Sequence, residues 1–167
     1  MTQPMRVLVA ISGTEDPAFV ADVAGVTDSR GRPVEVTLVH VVDPETRAAL
    51  GRGASIRSAP WPSRTSGATD RRLEAADEEA AAALLETWRE RFAAGLAADV
   101  TLLSLVRHGR PEREIIEAAR SIGADVLIVS ARPHMGPDEA GPHSLGHVAR
   151  FVTDHSPIPV LIARHSR

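Results

Sequence analysis

The run Val126-Leu127-Ile128-Val129, entered from Asp125, is apolar at every position rather than at every second one. A strand with one face in water alternates. This one is therefore buried on both faces, the condition of a strand inside a parallel sheet with helices above and below. A second such run, Val160-Leu161-Ile162-Ala163, follows Ser156-Pro157-Ile158-Pro159, where the prolines end one element and introduce the next.

The chain around these runs reads as alternating strands and helices. Val106 to His108 ends a strand, and Gly109-Arg110-Pro111 turns into a helix over Glu112 to Ile122. Proline suits the first turn because its missing N–H costs nothing there, and Glu112 and Glu114 lie near the positive end of the helix dipole. Gly123 stops that helix, and Asp125 leads into the buried strand. A loop from Ser130 to Pro142, interrupted by Pro133, Gly136, Pro137 and Gly141, opens a helix capped near Ser144 that runs to about His155. The result is a pair of right-handed βαβ units. Ligands of such sheets lie beyond the carboxyl ends of the strands, so chemistry is expected between Ser130 and Gly146.

Nearer the N-terminus, Met5 to Ile11 is a buried strand ending in the Ser12-Gly13-Thr14 turn. Pro17 to about Thr27 reads as a helix with Phe19, Val20, Val23 and Val26 on one face. Val34 to Val42 is the second strand. Its His40 reads as a half-buried residue bonded to a neighbouring carbonyl. From about residue 43 to 69 the chain turns to Gly, Ser, Arg and Pro, a long flexible insertion. Asp70 to Ala94 is the longest helix, with Leu73, Ala76, Ala80, Leu84, Trp88 and Phe92 expected on its buried face, and Val100 to Val106 is the third strand. Five strands alternating with helices predict an open parallel α/β sheet with helices on both faces, in one domain spanning residues 1–167.

Composition removes several classes of function. There is no cysteine, which excludes disulfides, thiolate metal sites and cysteine nucleophiles. The net charge of −3 supplies no field for nucleic acid, and all 19 cationic residues are Arg, a coding bias rather than a signal. No apolar run is long enough to cross a bilayer, so a cytoplasmic protein without membrane contact is expected. His143 and His147, with His134 and Asp138 nearby, have a spacing that two zinc ligands can share. No Glu lies between them and no third ligand is fixed by spacing, so no metal is expected. Neither Ser130 nor Ser144 sits in a nucleophile elbow, and no paired carboxylates occupy the strand ends.

Gly109-Arg110-Pro111, Ala124-Asp125-Val126-Leu127-Ile128-Val129-Ser130, Gly146-His147 and Ser156 to Ala163 together resemble the C-terminal half of universal stress proteins of the UspA type, and the similarity extends over most of Met5 to Arg164. The resemblance implies a Rossmann-like, adenine nucleotide alpha hydrolase-like fold with strand order 3-2-1-4-5. It implies an adenine nucleotide, ATP above all, held by Ser12, Gly13, Thr14, Val41, Gly109, Ser130, Gly146 and His147. It also implies a homodimer formed through the edge strand Val160 to Ala163, open to an unidentified protein partner.

Three places depart from the family pattern. Ser12 stands where an Asp carboxylate contacts the nucleotide, and Ser130 and Pro133 replace two glycines of the phosphate loop. Gly146 matches the third glycine with about three extra residues in the loop, and His147 follows it where a hydroxyl residue is usual. The expectation is thus a non-enzymatic stress-response module acting through dimerisation and protein contacts, with weak or lost ATP binding and at most slow hydrolysis of bound nucleotide. The alternative is an ATP- or AMP-binding switch.

Overall fold

Val7, Leu8 and Val9 are each at most 1% exposed, and their side chains point alternately into two separate apolar layers. That double burial is what a strand apolar at every position requires. The computed structural model describes residues 3–25, 31–43, 67–95, 100–131 and 145–164. Along these run β1 (Met5–Ile11), α1 (Pro17–Gly25), β2 (Val34–Val42), α2 (Gly67–Ala93), β3 (Val100–His108), α3 (Pro111–Ile122), β4 (Val126–Ser130), α4 (His147–His155) and β5 (Val160–Ala163). The strands form a five-stranded sheet of order β3-β2-β1-β4-β5, and every pairing is parallel.

One layer joins Val7, Val9, Ile11, Val36, Leu38 and Ile128 to α1 and α2 through Val20, Ala21, Leu85, Trp88 and Phe92. The other joins Leu8, Ala10, Val39, Leu127 and Val129 to α3 and α4 through Ile115, Ile116, Ala118, Ala119 and Val152. Each fully buried Leu, Ile or Val contributes about 1.5–3 kcal/mol, and β1 contributes to both layers at once.

The amino edge of the sheet carries a polar tie. The Asp125 N–H donates to the Arg6 carbonyl at 2.8 Å, and the Arg6 N–H donates to Asp125 Oδ2 at 2.9 Å. Asp125 thus leads into β4 as expected and extends the β1–β4 pairing by a side-chain bond. Arg6 Nη1 donates to the Ile122 carbonyl at 2.9 Å. Its Nε is buried 3.5 Å from Glu35 Oε1, ion-pair range without a formed hydrogen bond. Gly123 ends α3 in the left-handed region at φ 65°, and the next N–H, that of Ala124, reaches the Ala119 carbonyl at 2.9 Å.

Three helices differ from expectation. The buried stripe of α2 is Ala81, Leu85, Trp88 and Phe92, whereas Ala76 and Ala80 are exposed and Leu84 is only partly buried. Steps of four, three and four hold one face of a helix, while repeated steps of four drift around it. In α1 the buried positions are Pro17, Val20, Ala21 and Ala24, with Phe19 and Val23 at the margin. α4 starts at His147, with Gly146 (φ 82°) as the residue before it, later than the expected start near Ser144. Helix α2 takes in the last three residues of the expected insertion, and β3 runs on to His108. Residues 44–66 of that insertion, Val26, and the stretch holding Pro133, His134, Gly136, Asp138, Gly141, His143 and Ser144 lie outside the described residues.

α2 is the element that shapes the carboxyl edge of the sheet. Following β2, it descends from the carboxyl end of the sheet towards the amino end. At the strand tips Leu84 lies against Gly13, where an added Cβ would come within 3.2 Å of it. Further up, Glu78 Oε2 meets His108 Nε2 at 3.0 Å. The residues before Glu78 therefore project past the tips of β1 and β3, by about 15 Å at 1.5 Å per residue.

Candidate functional site at the carboxyl edge

β1 passes into α1 on one face of the sheet, and its neighbour β4 leads to α4 on the other. The chain diverges between them, the kind of switch point at which open α/β sheets bind ligands. All eight expected site residues lie on this edge. Ile11 pairs with His40, Ala10 with Val129, and Val42 with His108, so the turns after β1, β2, β3 and β4 stand side by side.

The turn after β1 is closed by hydrogen bonds to a carboxylate of its own chain. Ser12 Oγ donates to Glu15 Oε1 at 2.7 Å and lies 2.9 Å from Thr14 Oγ1. The Ser12 N–H is 3.1 Å from both Glu15 oxygens, and the Gly13 and Thr14 N–H groups donate to Oε2 at 3.0 and 3.1 Å. A carboxylate thus stands at the β1 tip, three residues after the position where the family pattern has one. Glu15 is absent from the site expected from sequence. The signal for it was the spacing Ser12-x-x-Glu15, the reciprocal pattern in which a Glu reaches back to the N–H of a Ser. Here it closes a turn ahead of the helix, and α1 has its own cap in Asp16, whose Oδ1 accepts from the Ala18 N–H at 3.0 Å.

On β2, His40 Nδ1 lies 3.1 Å from the Ile11 carbonyl, as its half-buried, carbonyl-bonded reading requires. The ring must carry its proton on Nδ1 to make that bond. Val41 is partly buried in the α3/α4 layer. After β3, the Gly109 N–H donates to the Val42 carbonyl at 3.0 Å, tying the turn to the β2 tip. Gly109 has φ 135°, and a Cβ there would lie 3.1 Å from Glu114 Cγ. Glu114 is held in place by Arg107, whose Nε and Nη2 lie 3.0 and 2.9 Å from its Oε2. A side chain at this position would have to push the Glu114 side chain aside and adopt a backbone angle that favours glycine.

The first turns of α3 and α4 meet through Glu112 and His147, with Oε1 3.8 Å from Nε2. Glu112 is 14% exposed and His147 77% exposed, so the imidazole stands in solvent over a largely covered carboxylate. His147 thus faces an acid as well as the open edge. Ser130 is partly buried at the end of β4 and pairs with Ala163. Among the described residues no group of three or more His, Asp or Glu could hold a metal ion. No described helix is long and apolar enough to cross a membrane.

The family model of the universal stress protein family matches residues 4–164. Among solved structures, the chain is similar to universal stress protein UspA from Lactobacillus plantarum, at 18% identity and a TM-score of 0.64, covering 98% of this chain and 100% of that one. It is similar to the universal stress protein from Archaeoglobus fulgidus in complex with dAMP, at 22% identity and a TM-score of 0.54, covering 97% and 98%. It is also similar to a universal stress protein family protein from Arabidopsis thaliana with AMP bound, at 18% identity and a TM-score of 0.54, covering 98% and 93%. No curated protein sequence matches. With the family model spanning nearly the whole chain and the sheet order expected of that family observed, the chain belongs to the universal stress protein family.

Proposed function

We propose that this chain is a non-enzymatic universal stress protein module that binds an adenine nucleotide weakly and acts in the stress response as a homodimer. The observation that carries the nucleotide reading is the arrangement at the β1/β4 switch point. There the Gly109 and Gly146 turns open the N-termini of α3 and α4 beside the β1 and β2 tips. Helix N-termini entered through glycines suit a phosphorylated ligand. The Archaeoglobus and Arabidopsis relatives carry dAMP and AMP. The described residues fit the group: Val41 offers an apolar wall, and the backbone at Gly109 and Gly146 a close approach. The acids at the same edge, Glu15 and Glu112, oppose a polyphosphate, which is why the affinity is placed low.

Isothermal titration of the full chain with ATP, ADP and AMP tests this directly. Binding in the micromolar to millimolar range is expected, about −4 to −8 kcal/mol. Absence of heat at millimolar ligand would remove the nucleotide. A second reading, a dimeric scaffold without nucleotide, is favoured by β5, an edge strand whose Val160, Leu161 and Ile162 are only partly buried. Nucleotide copurifying with a fresh preparation would count against it.

A further inference from the structure

The Ser12-Gly13-Thr14 turn presents three successive N–H groups to one point, and that point is filled by the chain itself. Glu15 Oε1 receives the Ser12 Oγ–H at 2.7 Å and shares the Ser12 N–H at 3.1 Å, while Oε2 receives the Ser12, Gly13 and Thr14 N–H groups at 3.0 to 3.1 Å. Successive N–H groups converging in this way form a nest for anions. Their occupant has both oxygens engaged, so little of its hydrogen-bonding capacity is left for a ligand amine or hydroxyl. The nest is separate from the start of α1, which Asp16 caps. Ser12, Gly13 and Thr14 are exposed, so solvent reaches the donors that Glu15 holds.

We propose that Glu15 is a resident competitor for anionic ligands at the β1 tip: a phosphoryl oxyanion reaches the three N–H groups only by displacing the Glu15 carboxylate. A side chain tethered within three residues of its donors competes at an effective concentration of about millimolar or more. A free anion must exceed that to enter. The same carboxylate, while seated, keeps a negative charge beside any ligand bound at the edge. This rests on the reading of that edge as the ligand site, and it adds a self-inhibitory contact to it.

The test compares full-length wild type with Glu15→Ala and Glu15→Gln, the second keeping the length of the side chain without its charge. Each is titrated with inorganic phosphate, AMP and adenosine by calorimetry, and amide shifts of Ser12, Gly13 and Thr14 are followed by NMR. Circular dichroism melts verify that each variant is folded. Both variants are expected to bind phosphate roughly tenfold more tightly than wild type, with the three amides shifting. An equal gain for AMP but not for adenosine would put the nucleotide's phosphate on the nest, and a gain for phosphate alone would make the ligand a free anion. Either supports the proposal. No gain with phosphate or AMP, or the same gain with adenosine, overturns it. The two readings separate: variants that gain phosphate while wild type takes no nucleotide sustain the competitor and remove the nucleotide function. Wild type that binds AMP with no gain in the variants does the reverse.

Discussion

Gly109 combines a backbone angle of φ 135° with a neighbour, Glu114, that a Cβ would press at 3.1 Å. Gly109→Ala meets both penalties, and about 1–3 kcal/mol of stability should be lost. Urea denaturation of the variant measures it; a change under about 0.5 kcal/mol would mean that the turn relaxes freely. Removing the clamp should ease the penalty, so Glu114→Ala in the Gly109→Ala background is expected to recover part of the loss. Residue chemistry was unevenly legible from sequence. His40 was read correctly because one imidazole in a strand has few bonding options. Glu15 was missed because its role depends on a turn bending back through three residues, and Glu112 because its contact with His147 joins two helices distant in sequence.

Among the elements, α2 separates pattern from packing. Its Ala-rich sequence offers several interleaved stripes, and the choice falls to the sheet beneath, which takes Ala81, Leu85, Trp88 and Phe92. Phe92→Ala should cost about 3–5 kcal/mol, as the loss of a fully buried ring does. Ala80→Glu on the exposed side should change stability by less than about 0.5 kcal/mol. Thermal or denaturant unfolding of the pair decides which stripe is inside; a large loss at Ala80 and none at Phe92 would reverse the assignment. Strands were more legible than helix limits. Met5–Ile11, Val34–Val42 and Val160–Ala163 have the ends read from sequence, since an apolar run flanked by Gly or Pro has sharp edges. α4 was read as starting near Ser144 because a hydroxyl cap is the usual signal, whereas the structure begins it after Gly146.

For the whole molecule, the alternation of strands and helices predicted the layered parallel sheet, and the family resemblance implied its order, β3-β2-β1-β4-β5. Assembly is the remaining property at this scale. β5 ends the sheet with an apolar strand, and exposed edges of that kind pair or are covered. The chain is accordingly expected to sediment as a dimer at micromolar concentration, and Ile162→Arg to sediment as a folded monomer; a wild-type monomer would contradict the edge pairing.

The tie between Arg6 and Asp125 has a consequence for how such a molecule diversifies. Because the offset of β1 against β4 is pinned at the end remote from the turns, those turns can lengthen, lose a glycine or acquire a charge without shearing the sheet. A scaffold anchored at its base can change what it recognises at its rim while its interior stays the same.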